Sequence, residues 1–403
     1  MKAILLKGMQ IYAEDQKIEE GYILLQDHQI IGIGPSTDLP ASMGVEVMEV
    51  PSSFQAIPGL IDIHIHGVNG ADVMDASVEA LETMSDALPK EGTTSFLATT
   101  MTQSQAAIEK ALINAGSYIQ KYQPPGKAEI LGIHLEGPYV NKSKAGAQPE
   151  EFIVNSSIEQ FKKWNNLANK TVKIVTLAPE QPGGMEMVKY LDEHSIIASI
   201  GHSDATYEEV SQAIEAGAKH VTHLFNQMRG LHHREPGVVG AALLREELTA
   251  ELIADGVHVR PEMMKLAFQQ KGEKELILIT DAMRAKCMKN GIYDLGGQAV
   301  TVEDGKAVLQ DGTLAGSILK LGNAMKNMMA FTGCSLEDAI QMASVNPAKQ
   351  LNVIDRKGTL SIGKDADIVI LDEQLEVAMT FCRGELAYHR GGDSSENLTS
   401  KKL

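Results

Sequence analysis

The sequence predicts an α/β fold: a (β/α)8 barrel of the TIM type, with a small β-sandwich assembled from both chain termini. Three observations carry this. Strand-like apolar runs alternate with helix-period segments through the middle of the chain. Both ends read as short alternating strands joined by turn residues. Histidines and carboxylates collect at the ends of the apolar runs, the edge where such barrels carry their active sites.

Residues 1–57 contain AILLKGMQIYA and GYILLQDHQIIGIGP, whose alternation and Gly, Asp and His turns favour antiparallel pairing. Residues 58–357 then supply eight candidate strands: 61–66, 94–100, 129–137, 172–179, 196–203, 220–225, 248–258 and 276–282. SVEALETMSDAL and ATYEEVSQAIEAG, between them, carry helical spacing. The Met-rich GNAMKNMMAFTG reads as a helix packed on the barrel. Residues 358–390 return to β-pattern with GTLSIGKDADIVILD and VAMTFCRGELAYH, and 391–403 form a polar tail expected to be disordered. A doubly wound open sheet is the alternative. No GxGxxG opens a helix and no phosphate-loop motif occurs to support it.

Composition narrows the partners. The net charge of −17 argues against nucleic acid and anionic membrane, and 4% aromatics leave little for base stacking. Cys287, Cys334 and Cys382 are distant and odd in number, so neither a disulfide framework nor a Cys-rich zinc site is indicated, and a reducing cytoplasm is expected. No apolar run reaches membrane-spanning length, and MKAILLKGMQIYAED lacks the pattern of a secretory signal.

PGLIDIHIHG ends an apolar run in His64 and His66. On a strand, residues two apart share a face, so the two imidazoles lie side by side. Taken alone, His-x-His is as readily a pair of satisfied surface histidines. The company decides: Glu136, His202, His223, His258 and Asp281 fall at the ends of later runs. Imidazole and carboxylate suit Zn, Fe, Mn or Co, and a set without cysteine disfavours a purely structural zinc. An open position would hold water with its pKa lowered toward neutrality, a hydroxide nucleophile for an electrophilic carbon. Asp281 fits a general base and acid, or a ligand to a second metal.

PGLIDIHIHG, HLEGPY, GHSDAT, HLFNQM, REPG, DGVHV, TDAM and LAGS occur in this order along nearly the whole chain. Together they resemble the amidohydrolase superfamily, and within it the N-acetylglucosamine-6-phosphate deacetylases. The resemblance implies metal-dependent hydrolysis of an acetamide in amino sugar catabolism. Glu136, His202 and His223 would hold one divalent ion; His64 and His66, with Asp281, a second. Asp281 would be the catalytic carboxylate. Asn226 and Gln227 would hold the phosphate, and Arg234 would reach it from the neighbouring subunit of a homodimer. His258 would bind a sugar hydroxyl, while Ala315 and Gly316 would form a backbone wall along the substrate.

One position departs from the family pattern. In Lys144-Ala-Gly-Ala147-Gln148, Gln148 stands where many relatives carry a histidine near the acetyl carbonyl. It donates a hydrogen bond without charge, so more of the polarisation would fall on the metal. N-acetylgalactosamine-6-phosphate deacetylation, cyclic-amide hydrolysis, nucleobase deamination and, more remotely, a non-catalytic barrel are the other readings.

Overall fold

The computed structural model describes residues 3–39, 45–121 and 123–391, with the backbone of 401–402. Eight parallel strands form one sheet: β1 (Leu60–Ile65), β2 (Thr93–Thr100), β3 (Glu129–Glu136), β4 (Val172–Leu177), β5 (Ile197–Ile200), β6 (His220–Val221), β7 (Thr249–Ile253) and β8 (Leu276–Ile279). They pair in sequence order from β1 to β8. Every residue of β1, β2 and β8 is buried, as expected where helices cover one face of a parallel sheet and its own interior fills the other.

The barrel closes through a side chain as well as through the backbone. Buried Asp62 of β1 accepts from Thr280 N at 3.3 Å and from Thr280 Oγ1 at 2.6 Å. Beyond it, Asp281 N donates to His64 O at 2.8 Å and His66 N to Ala282 O at 2.9 Å. The β1/β8 seam therefore places His64, His66 and Asp281 together.

Helices follow the strands, and serine or threonine marks their starts. Ser77 caps Val78–Ala87 and Ser104 caps Gln105–Ile119. Thr206 and Glu209 form a reciprocal capping box on Tyr207–Glu215. Each cap satisfies an amide that has no partner within its helix.

The termini build two further sheets. One contains Ala3–Lys7, Gly21–Gln26, Gln29–Pro35 and Glu46–Glu49. In the other, Gln55–Pro58 pairs antiparallel with Ile368–Leu371, so both chain ends share one layer. Leu6, Met9, Ile23, Ile30, Ile368 and Phe381 fill the core between them. The tail expected to be disordered lies outside the described residues, except Gly391 and the Lys401–Lys402 backbone, which pairs with Glu46–Val47.

Two sequence readings are corrected. The strands end earlier than their apolar runs: β5 stops at Ile200, β6 at Val221, β7 at Ile253 and β8 at Ile279. His202, His223 and Asp281 lie two residues past their strands with φ of 48°, 31° and 47°, a left-handed conformation that cannot extend a ladder. His258 does not end a strand. It sits in a turn built by Asp255, whose Oδ1 accepts from Val257 N and His258 N at 2.8 Å each.

The second correction is an unanticipated antiparallel sheet, Gly291–Leu295, Gln298–Glu303 and Lys306–Val308, inserted after β8. Its Gly296-Gly297 and Asp304-Gly305 turns were legible hairpin signals.

Candidate active site

Among the described residues, three groups of three could each hold a metal ion: Glu136, His202 and His223, and His64, His66 and Asp281, which line or adjoin the cavity at the barrel's C-terminal edge, and His64 with His134 and Glu251, whose other two members are spent on hydrogen bonds within the protein. Glu136 joins the first two. Its Oε1 lies 3.3 Å from His202 Nε2, 3.2 Å from His223 Nε2 and 3.4 Å from His64 Nε2, and its Oε2 lies 3.4 Å from His66 Nε2. Asp281 Oδ1 is 3.2 Å from His66 Nε2 and 3.5 Å from His64 Nε2.

Three of these residues hold uncommon backbone conformations. Left-handed φ at a residue other than glycine costs about 1–3 kcal/mol and persists where surrounding contacts over-determine it. Here it turns the side chains of His202, His223 and Asp281 back over the barrel mouth.

Hydrogen-bond accounting shows that the donor set fits a cation. His202 Nδ1 donates to Lys144 O at 2.8 Å, and His64 Nδ1 to Glu251 Oε2 at 2.9 Å. In the neutral rings both Nε2 atoms are then lone pairs, and what faces them is chiefly carboxylate oxygen. His202 Nε2 and His223 Nε2 also approach to 3.1 Å. Among the described residues, His64 Nε2 is buried without a hydrogen-bond partner. Lone pairs crowd together in this way around a positive ion.

The electrostatics agree. Burial alone would lower the His66 pKa, but the Asp281 and Glu136 carboxylates outweigh it and raise it to about 10. His64 is driven up likewise, against burial, by Glu251, Glu136 and Asp281. Burial would raise Asp281, yet His64 and His66 hold it below the ordinary carboxylate range. The centre demands positive charge, supplied by protons or by metal.

Of the substrate residues predicted from sequence, Ala147, Gln148, Asn226, Gln227, His258 and Gly316 line the cavity over this centre together with five of the metal candidates. Gln148 is committed more fully than expected: its Nε2 donates to Glu136 Oε2 at 2.7 Å and its Oε1 accepts from Thr102 N at 2.7 Å. Its clearest partner is thus Glu136. Ala315 is buried and does not line the cavity; Leu314 does, with Met101 and Leu295. Leu295 comes from the inserted sheet, whose Gln298 Nε2 ties it to Ala147 O at 2.7 Å. Arg234 stands apart, exposed, its Nη1 2.8 Å from His233 Nε2. A larger cavity of ≈ 310 Å³, between the terminal sheets and Glu337–Val345, contains none of these residues.

Sequence reading missed the supporting layer. Glu251, His134 and His220 are fully buried. His134 donates and accepts within the protein, Nδ1 to Ile63 O at 3.1 Å and Nε2 to Thr176 Oγ1 at 2.7 Å. Burial, with His64 beside it, lowers its pKa to about 3, so it is neutral packing. A charged residue inside the apolar run of β7, as Glu251 is, was the available signal.

Comparison with known proteins agrees with the geometry. Residues 56–387 match the Amidohydrolase family. The chain is 49% identical over 389 residues to an N-acetylglucosamine-6-phosphate deacetylase of Bacillus subtilis, covering 96% of this chain and 98% of that one. It is 36% identical over 382 residues to an N-acetylgalactosamine-6-phosphate deacetylase of Escherichia coli, covering 95% and 98%. A Mycobacterium smegmatis N-acetyl-D-glucosamine-6-phosphate deacetylase variant, solved with N-acetyl-D-glucosamine-6-phosphate, superposes with a TM-score of 0.89 at 28% identity, covering 96% of this chain and 100% of that one. This chain belongs to the amidohydrolase family and, within it, to the N-acetylglucosamine-6-phosphate deacetylases.

Proposed function

We propose that this chain hydrolyses the acetamide of N-acetyl-D-glucosamine 6-phosphate to glucosamine 6-phosphate and acetate, in amino sugar catabolism. The observation that carries the reading is that Glu136, a member of one three-residue group, also meets His64 and His66 of the other at the barrel mouth. One or two divalent ions held there, Zn, Fe, Mn or Co, would supply Lewis acidity and a lowered water pKa.

The chain's own residues do the rest. Asp281, which stays ionised where positive charge sits on the centre, takes the proton of the attacking water and returns it to the departing amine. His258, oriented by a 2.7 Å bond from Nδ1 to Asp255 Oδ2, presents its other nitrogen to a sugar hydroxyl. Asn226 and Gln227 hold the phosphate, and binding energy gained there fixes the acetamide over the centre. Met101, Leu295 and Leu314 give the cavity an apolar wall that limits water. Arg234 completes the phosphate site from the partner of a homodimer: it is exposed, away from its own cavity, and has no carboxylate partner among the described residues. Three free cysteines support a cytoplasmic setting.

Acetate release from the gluco substrate, its galacto epimer and the unphosphorylated sugar tests the reading on protein of known metal content. Turnover that needs both phosphate and metal, and that chelation abolishes, is the expected result. Turnover of the epimer alone would favour the galacto reading, and none at all by metal-loaded protein would overturn both. Arg234→Ala is expected to raise KM about 10–100-fold, the loss of one charge-assisted contact. An unchanged KM, or a monomer in sedimentation, would remove Arg234 from the site.

A further inference from the structure

We infer that Glu251 is a positioning residue shared by the two metal half-sites, with His220 and Gln350 behind it fixing the proton arrangement. The inference rests on the reading that the two groups hold metal.

Glu251 stands in β7, where both its side chain and its backbone are used. Oε2 accepts from His64 Nδ1 at 2.9 Å and from His223 N at 3.1 Å. Its backbone O accepts from Leu224 N at 2.9 Å. His64 belongs to one half-site and His223 to the other. A single buried carboxylate therefore orients a ring in the first and holds the left-handed turn that aims a ring in the second.

With the Gln350 amide as oriented, the outer arm has one self-consistent proton arrangement. Gln350 Nε2 can only donate, and it lies 3.2 Å from His220 Nδ1, which must accept. His220 then carries its proton on Nε2 and donates it to Glu251 Oε1 at 3.1 Å. With no proton of its own to give, the Glu251 carboxylate receives three hydrogen bonds, one of them from His64 Nδ1. That keeps a proton on His64 Nδ1, so that in the neutral ring the Nε2 lone pair faces Glu136 and Asp281. The chain Gln350–His220–Glu251–His64 thus makes one imidazole a ligand, and the His223 amide bond links the second group to the same acid.

The test is metal affinity of the folded protein, measured by Zn²⁺ titration of apo-protein against a chromogenic chelator. Glu251→Gln is expected to weaken Zn²⁺ binding about 10–100-fold, and to do so for every ion that the wild type takes up. Gln350→Leu, at the far end of the arm, is expected to weaken it in the same direction by less. Zn²⁺ affinity unchanged in Glu251→Gln, with only a lower melting temperature, would overturn the proposal and leave Glu251 a structural acid. Loss confined to one half-site would overturn the sharing. Should Glu251→Gln not fold, Gln350→Leu decides alone, and unchanged affinity in it overturns the proposal. A wild type that binds no Zn²⁺ would instead reject the metal reading beneath it.

Discussion

Replacing Asp281 with asparagine is expected to slow turnover by about 10²–10⁴-fold while metal content stays near normal. The substitution is nearly isosteric and keeps an oxygen toward His66, so packing at the β1/β8 seam should survive. What it removes is the capacity to accept a proton. Asp281 is suited to that task by three features. Its side chain is 13% exposed where Glu136 is 3% and His64 0%, so of the two carboxylates that line the cavity it is the more open. It stays ionised, against the effect of burial, where positive charge sits on the centre. It also sits at φ 47°, a conformation retained only because Asp281 N and Asp281 O are pinned to His64 O and Ser317 N, each at 2.8 Å. The measurement is kcat and KM beside metal analysis of the same preparation. A proton role lowers kcat with KM little changed. Activity that falls together with metal content, and returns with added metal, would make Asp281 a ligand first. Near-normal kcat at full metal content would remove it from the proton transfers.

Much of this centre was legible before any coordinates, for a physical reason. A strand's period of two, and a barrel's habit of exposing one edge, turn a linear pattern of His, Glu and Asp at run ends into a spatial cluster. His64, His66 and Glu136 lie on or beside regular strand and were placed by that rule. His202, His223 and Asp281 were found by the same rule, but their backbone was read wrongly. Apolar runs continue past the point where the chain turns out of the sheet, and nothing in residue type announces a left-handed histidine. Partners across the barrel were less accessible still. Glu251 meets His64 over 187 residues of sequence, and Gln148 turns to Glu136 instead of waiting for substrate. Such pairings depend on where the barrel closes, which no local pattern encodes. The inserted sheet is a different kind of omission, since its Gly-Gly and Asp-Gly turns were present to be read.

A second large effect lies far from the chemistry. Lys357→Met is expected to destabilise the protein by about 3–5 kcal/mol, the cost of breaking a buried ion network by removing one partner. Lys357 is 1% exposed, and its Nζ lies 2.9 Å from Glu129, 3.0 Å from Asp365 and 2.5 Å from Asp367. Arg356 adds bonds of 2.8 Å to Glu129 and 2.6 Å to Asp365. Glu129 opens β3, whereas Asp365 and Asp367 lead into the terminal strand Ile368–Leu371. The network is therefore a joint between barrel and sandwich. Taking out the lysine leaves Arg356 bonded to Glu129 and Asp365 and removes the ion pair of Asp367, and methionine fills the volume without restoring charge. Glu129 gives the pH dependence its sign here, although burial holds Asp367 above its ordinary range in spite of Lys357. Burial would raise Glu129, but Lys357 and then Arg356 lower it to about 2. A depressed carboxylate contributes stability that is present above its ordinary pKa, near 4.5, and is lost as pH falls toward about 2. The gap between wild type and Lys357→Met should accordingly be widest near neutrality and narrow on acidification through that range. Denaturant midpoints at several pH values measure it, with Lys219→Met as the control, since Lys219 and Asp192 form a pair at 2.8 Å that is largely in solvent. A Lys357→Met effect no larger than the control, or one that grows on acidification, would mean that this joint is held by its apolar contacts and not by its charges.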